Sequence, residues 1–206
     1  MTRGRSGLGW FEQPGVSETL ACAAGALAYI ASLAFGFVYD DIPQIVSNPA
    51  IQNWHSVPQY FTGHVWAAIF PNTVGNYYRP LFLVWLRGNY AVFGTSTWGW
   101  HSTAILCHVF ATWLVLRLAV KLTDDRLTGF ICALLFALHP AHIENVAWIS
   151  GTTDILAACF MLGSILLLLE SREKAARRIS SVILFALALL CKELSLIHIS
   201  EPTRPY

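Results

Sequence analysis

The stretch TLACAAGALAYIASLAFGFV, residues 19 to 38, holds twenty residues and no charged side chain. A helix rises about 1.5 Å per residue, so this stretch is long enough to cross a hydrocarbon core of about 30 Å. The whole chain has the same character, because 55% of its 206 residues are hydrophobic and 12% are charged, with a mean hydropathy of +0.53. This composition predicts an integral membrane protein. The net charge of +1 gives no indication of a nucleic-acid partner.

Four further apolar segments predict additional membrane helices. Residues 98–120 form a second full-length span, whereas the segments 127–138, 155–169 and 179–191 are shorter. Short helices in a membrane protein end in a polar cavity more readily than at two lipid surfaces. The fold class predicted is therefore an all-α polytopic membrane protein with about five transmembrane helices.

Two segments between these spans are predicted not to cross. Residues 81–93 are apolar but number only thirteen and include Arg87, so we expect an interfacial or re-entrant helix and a side chain that snorkels to lipid phosphate. Residues 41–79 are rich in proline, asparagine and aromatic residues. They predict a first loop that carries interfacial helices, with Trp54 and Trp66 as headgroup anchors.

The basic residues predict the orientation. With five spans, nine Lys or Arg residues fall on the side of the N-terminus and three on the other side, and the positive-inside rule then makes the first side cytoplasmic. The nine are Arg3, Arg5, Arg117, Lys121, Arg126, Arg172, Lys174, Arg177 and Arg178, and the three are Arg79, Arg87 and Lys192. The first loop is thus expected on the exported face.

The chain divides into three predicted regions. Residues 1–18 form a cytoplasmic N-terminal segment, residues 19–193 a membrane domain, and residues 194–206, LSLIHISEPTRPY, a tail that matches the translation of a transposase adapter used in sequencing libraries. We expect this tail to be non-native and the natural protein to continue differently after Glu193. The five cysteines lie in apolar runs without a C-x-x-C pair, which predicts inert thiols rather than disulfides.

Asp40 and Asp41 directly follow the first span. Two carboxylates at the C-terminal end of a helix face the negative end of its dipole, so local stability does not explain them. They either terminate the span in water or serve a site, and an adjacent pair beside other polar clusters favours the site. Mutual repulsion is expected to raise the pKa of one member, which suits a proton acceptor.

Other polar groups on the predicted exported face supply binding chemistry. The stretch HPAHIEN contains His139, His142 and Glu144, but Pro140 disrupts the helix and no fourth ligand is evident, so hydrogen bonding to a sugar or phosphate is favoured over zinc. Arg79 and Lys192 either snorkel to lipid phosphate or hold the phosphate of a substrate.

These motifs resemble a known family. The YDD that closes the first span, the segment YRPL (residues 78–81), the run HPAHIENVAWISG and the final CKE resemble the GT-C fold glycosyltransferases. The likeness is greatest to the transmembrane O-mannosyltransferases with tetratricopeptide repeats and their bacterial relatives. It runs from about residue 35 to residue 193.

The resemblance implies a reaction and its residues. Such enzymes take a sugar, here mannose-like, from a polyprenyl-phosphate carrier and pass it with inversion to a hydroxyl of a protein, glycan or lipid. Asp40 or Asp41 would accept the proton, and the remaining residues would bind substrate: Tyr78, Arg79, His139, His142, Glu144, Asp154, Lys192 and Glu193. No cofactor or metal is expected, although a divalent metal is left open. The implied location is the bacterial inner membrane or the endoplasmic reticulum.

Two alternatives from other classes remain open at this point. A proton-coupled transporter would place ionisable residues along its path, whereas here the mid-span positions are nearly bare, with His101 and His108 as the exceptions. A non-catalytic membrane scaffold would tolerate replacement of Asp40 and Asp41.

Overall fold

The computed structural model describes residues 15–71, 75, 77–171 and 174–192, all of whose regular structure is helical. The α-helices follow in chain order: α1 (Val16–Tyr29), α2 (Pro49–Gln52), α3 (Val57–Tyr60), α4 (Pro80–Phe93), α5 (Thr97–Thr123), α6 (Arg126–Leu138), α7 (Ile143–Ala147), α8 (Thr153–Leu169) and α9 (Ala175–Cys191). A π-helical turn (Ile42–Val46) and four 3-10 turns (Ile30–Ala34, Trp54–Ser56, Pro140–His142 and Ile149–Thr152) complete the described elements.

By length and composition, three described helices can cross a membrane: Val16–Ala34, Thr97–Thr123 and Ile149–Leu169. The helix α6 and the helical segment after it, bent by 49°, make a fourth if they count as one broken span. Helices α9, with 17 residues, and α4, with 14 residues, are shorter. The chain is therefore a multi-pass all-α membrane protein, and the five predicted spans correspond to α1, α5, α6, α8 and α9.

Small residues allow α1 to pack closely on α5 and α6. Ser17, Ala21, Gly25 and Tyr29 are buried at four-residue spacing along one face of α1, and a Cβ on Gly25 would lie 3.4 Å from Oγ1 of Thr112. Apolar attraction gives no preference for helices over lipid in a membrane, so close contact between small side chains must hold them together.

The bundle has two chemically different ends. At one end, Arg126 pairs with Glu18 at 3.5 Å, which joins the start of α6 to the start of α1. At the same end, Arg117 pairs with Glu170 at 3.8 Å, which joins the C-terminal part of α5 to the end of α8. The first loop, the start of α4 and Lys192 lie at the opposite end. Among the described residues, Arg117 and Arg126 thus lie at one end and Arg79 and Lys192 at the other, as predicted, while the cytoplasmic assignment of the first end stays a prediction.

A buried cluster at the second end supports the first loop. It contains Ile45, Phe82, Leu86, Trp100 and Ile149, each at most 1% exposed. These side chains come from the loop, from α4, from α5 and from the turn before α8. The loop is therefore packed into the bundle instead of lying free on the membrane surface.

Arg87 departs from the prediction of a snorkelling side chain. It is 5% exposed, and its guanidinium carbon lies 4.1 Å from the ring centre of Trp54. The physical reason is that the first loop folds back over α4 and covers this face of the helix. Trp54 itself is 59% exposed, and its role as a headgroup anchor stays a prediction.

Candidate active site

A strained turn directly precedes the two adjacent aspartates. Tyr39 has a φ of 46°, in the left-handed region that a residue with a Cβ rarely adopts. The chain leaves this turn with Asp41 only 1% exposed, whereas Asp40 lines an open hollow. Backbone strain of this kind is retained where the surrounding structure requires it. Directly after this turn, two identical neighbours have different surroundings.

Asp41 joins the first loop to the turn before α8. Its Oδ1 accepts hydrogen bonds from the backbone N–H of Ser150 at 2.8 Å and from the Oγ of Ser150 at 2.6 Å, and its Oδ2 accepts from the N–H of Val38 at 3.1 Å. Burial raises the pKa of Asp41, and these hydrogen bonds oppose the shift. The sequence correctly predicted a raised pKa in the pair, but the cause is burial instead of repulsion.

The hollow beside Asp40 has a volume of about 290 Å³. Arg79 reaches it from the residue before α4, Glu144 from α7, Asp154 from the first turn of α8 and Lys192 from the residue after α9. We call it the polar hollow, and its lining consists of Asp40, Gln44, Val65, Trp66, Tyr77, Arg79, Phe82, Glu144, Asn145, Trp148, Ser150, Gly151, Thr153, Asp154 and Lys192. Side chains from distant parts of the sequence, between residue 40 and residue 192, therefore meet at one concave site.

The polar hollow contains charges of both signs. Its described lining has three carboxylates (Asp40, Glu144 and Asp154) and two cations (Arg79 and Lys192). The ammonium of Lys192 forms an ion pair with Oδ1 of Asp154, and the guanidinium of Arg79 lies 5.0 Å from the ring centre of Tyr77. Fixed charges of both signs suit a reaction that moves a proton and releases an anion.

The structure brings five of the predicted site residues into the polar hollow: Asp40, Arg79, Glu144, Asp154 and Lys192. Asp41, Tyr78, His139 and His142 are not among its described lining residues. Glu193 lies outside the described residues. The roles that we assigned to all of these residues remain predictions.

The displaced residues have other contacts. The hydroxyl of Tyr78 donates to the carbonyl of Phe61 at 3.1 Å, whereas the neighbouring Tyr77 lines the hollow. His142 packs against Phe136, with 4.3 Å between ring centres, and Nδ1 of His139 accepts from the N–H of Ala141 at 3.2 Å. Pro140 starts a 3-10 turn between the two histidines.

Several lining residues were not predicted from the sequence. Trp66 was expected only as a headgroup anchor, and Gln44, Asn145 and Trp148 carried no chemical signal of their own. The Oε1 of Gln44 and the Nε1 of Trp148 are buried and have no hydrogen-bond partner within the described part of the chain. Unpartnered polar atoms beside a cavity are expected where a polar ligand binds.

Two apolar spaces adjoin the polar hollow. The first, here called the outer cleft, shares three hollow residues and is completed by Val38 and Tyr39. The second, here called the helix groove, runs between α8 and α9 and has a volume of about 270 Å³. Its lining is Asp154, Ala157, Ala158, Met161, Ala188, Leu189 and Lys192. The Asp154–Lys192 pair therefore borders both the polar hollow and an apolar groove.

Among the described residues, no group of three or more His, Cys, Asp or Glu side chains is arranged to hold a metal ion. The prediction that the reaction needs no metal stays a prediction.

Comparison with known proteins assigns the class. Residues 78–200 match the family model of dolichyl-phosphate-mannose-protein mannosyltransferases, and this match covers more than half of the chain. The chain therefore belongs to this mannosyltransferase family, which agrees with the resemblance found in its motifs.

Individual relatives extend the likeness over most of the chain. The protein O-mannosyl-transferase F38B6.6 of Caenorhabditis elegans is 34% identical over 179 residues, which cover 84% of this chain and 25% of the relative. Tmtc1 of Drosophila melanogaster is 32% identical over 88% of this chain and 23% of its own length. Human TMTC2 is 31% identical over 73% of this chain and 18% of its own. The chain thus spans about a quarter or less of each of these relatives, and no solved structure matches it.

Proposed function

We propose that this segment forms the catalytic end of a membrane O-mannosyltransferase that takes mannose from a polyprenyl phosphate and transfers it to a protein Ser or Thr hydroxyl. The observation that carries the proposal is the convergence of Asp40, Arg79 and Lys192 on one hollow. These are the side chains needed to accept a proton and to neutralise a departing phosphate. The family description supports the choice of sugar and carrier.

The proposed reaction is a single displacement. Asp40 takes the proton from the acceptor hydroxyl while the oxygen forms a bond to the anomeric carbon of mannose. The bond from that carbon to the phosphate oxygen breaks, and the phosphate leaves with the electron pair. Arg79 and Lys192 stabilise the charge that develops on it. Because attack and departure occur on opposite faces, the anomeric configuration inverts.

The two apolar spaces supply separate approaches for donor and acceptor. The helix groove meets the polar hollow at Lys192, so a carrier chain in the groove would leave its phosphate beside a cation. The outer cleft meets the hollow at Asp40, so an acceptor in the cleft would present its hydroxyl to the base. Trp66, from the first loop, lines the polar hollow and would limit hydrolysis by excluding water.

The proposal also includes the orientation of the chain in the membrane. We place the polar hollow on the exported side, the lumen of the endoplasmic reticulum or the outer face of a bacterial inner membrane, with the N-terminus in the cytoplasm. The predicted distribution of Lys and Arg supports this assignment.

The test uses the full-length enzyme that carries this segment, reconstituted with dolichyl-phosphate mannose and a Ser- and Thr-containing peptide. Asp40→Asn should lower the transfer rate roughly 10²- to 10⁴-fold without changing the melting temperature. Arg79→Gln and Lys192→Gln should raise the KM for the donor.

Glu170→Gln is a matched control, because it removes a carboxylate from the opposite end of the bundle. Full transfer by Asp40→Asn would refute the assignment of the base. Unchanged donor KM in both cation variants would refute the phosphate site, and a transporter or scaffold would then explain the polar groups better.

A further inference from the structure

The charge balance of the polar hollow raises a difficulty for an anionic substrate. The described lining contains three carboxylates and two cations, so it carries a net charge of −1 if every group is ionised. A sugar phosphodiester adds a further negative charge. Lys192, which the proposed function assigns to the phosphate, is already paired with Asp154. The phosphate must therefore displace Asp154 or bind without the full charge of Lys192.

The Asp154–Lys192 pair is built to exchange partners. The two side chains are 35% and 19% exposed, so water can solvate either charge when the pair opens. Asp154 lies in the first turn of α8, where the positive end of the helix dipole stabilises a carboxylate that has lost its cation. Lys192 follows the last residue of α9, and its flexible stem lets the ammonium turn to a new anion without moving the helix.

We infer that Asp154 is an internal counter-anion that competes with the phosphate of the lipid carrier for Lys192, and that this exchange accompanies donor binding and product release. The inference rests on the proposed function. After transfer, the carrier is a monoester whose charge approaches −2 at neutral pH, so two cations would retain it strongly. Re-formation of the Asp154–Lys192 pair takes one cation away from the product and speeds its departure. Asp154 thus acts through Lys192 as a positioning residue and does not contact the sugar.

The experiment measures inhibition of the full-length enzyme by dolichyl monophosphate, the released carrier, together with the KM for the donor. Asp154→Asn keeps the shape of the side chain and removes its charge. We expect this variant to bind the carrier roughly three- to tenfold more tightly, to lower the donor KM and to lower kcat through slow product release. Asp154→Glu should restore values near wild type, and Lys192→Gln should weaken inhibition.

The outcomes distinguish the exchange at Lys192 from the phosphate site on which it rests. Tighter carrier inhibition in Asp154→Asn with weaker inhibition in Lys192→Gln supports the exchange. If Lys192→Gln weakens inhibition while Asp154→Asn weakens it too or leaves it unchanged, the exchange is overturned and the phosphate site stands. If Lys192→Gln leaves inhibition unchanged, the proposed phosphate site fails and the exchange fails with it.

Glu170→Gln, at the other end of α8, controls for the loss of one carboxylate and one ion pair. The ionic strength dependence provides a second readout, because the exchange predicts that salt relieves carrier inhibition more in Asp154→Asn than in Lys192→Gln. A melting temperature within a few degrees of wild type in each variant shows that the fold has been retained.

Discussion

At the scale of single residues, the adjacent Asp40 and Asp41 have identical side chains but different surroundings. Asp41 is buried and accepts three hydrogen bonds from Val38 and Ser150, while Asp40 lines the polar hollow. The first is a structural link between two segments of the chain. The second is available to a substrate.

Removal of the buried carboxylate should affect stability more than removal of its neighbour. Asp41→Ala leaves the buried N–H and O–H donors of Ser150 without an acceptor, which costs about 1–3 kcal/mol. Asp40→Ala should stay within about 0.5 kcal/mol of wild type, as expected for a group outside the packed interior. Thermal melting in detergent measures both, and equal losses would contradict the division between the two aspartates.

The buried carboxylate also predicts a pH dependence. Burial raises the pKa of Asp41 above its ordinary value of 3.8. Between 3.8 and the raised value the folded chain holds more protons than the unfolded chain. This group therefore makes the fold less stable as the pH rises through that window, and the penalty stays constant above it. The difference in melting temperature between wild type and Asp41→Ala, measured against pH, should follow this curve, and a flat difference would disprove it.

At the scale of elements, the turn before α8 requires a glycine. A Cβ on Gly151 would collide with the backbone oxygen of Glu144 and lie 3.1 Å from the ring of Trp148. Both neighbours line the polar hollow. The close approach of this turn to α7 thus shapes the site wall.

Gly151→Ala should therefore displace the wall of the hollow. We expect a loss of stability of about 1–3 kcal/mol, typical of overpacking, and a larger loss of transfer activity than of membrane insertion. Gly36→Ala is the control, because a Cβ at Gly36 meets nothing within 4 Å. Melting and donor-dependent transfer measure the two effects, and equal behaviour of both variants would refute the steric argument.

The α8–α9 pair is held by a reciprocal serine contact. The Oγ of Ser164 donates to the carbonyl of Ser181 at 2.8 Å, and the Oγ of Ser181 donates to the carbonyl of Ser164 at 2.8 Å. Hydrogen bonds between transmembrane helices contribute about 0.6 kcal/mol on average. This contact fixes the two helices that border the helix groove.

Ser164→Ala should reduce stability by about 0.5–1.5 kcal/mol, because it removes the hydrogen bond from Ser164 to the carbonyl of Ser181. Ser180→Ala is the control, because Ser180 is the neighbour of Ser181 in the sequence and is exposed on α9. It should change stability by less than about 0.5 kcal/mol. Chemical unfolding in mixed micelles compares the two. A neutral Ser164→Ala would show that apolar packing alone joins these helices.

At the scale of the whole molecule, the two ends of the bundle predict opposite exposure to the cell. An N-glycosylation acceptor inserted after Asn53, in the first loop, should be modified in microsomes. The same insertion after Asp124, between α5 and α6, should remain unmodified. Gel mobility with and without glycosidase gives the result, and the reverse pattern would place the polar hollow in the cytoplasm and end the proposed reaction.

The sequence by itself determined the membrane class, the positions of the five apolar helices and four of the five charged residues that line the polar hollow, namely Arg79, Glu144, Asp154 and Lys192. It narrowed the fifth to one of two adjacent aspartates. These follow from local properties, since apolar length and the spacing of charges are independent of how the chain folds back. The motif YDD, the HPAHIENVAWISG run and the family they indicate also required no coordinates.

Only the tertiary structure decided which of two adjacent aspartates faces the hollow, that Tyr77 and not Tyr78 lines it, and that His139 and His142 turn away. Each of these outcomes depends on a turn whose direction is set by distant partners, as when Ser150 holds Asp41 across 109 positions of sequence. The burial of Arg87 has the same origin, because it results from the first loop folding over α4. Contacts between segments far apart in the chain leave no local pattern from which they can be predicted.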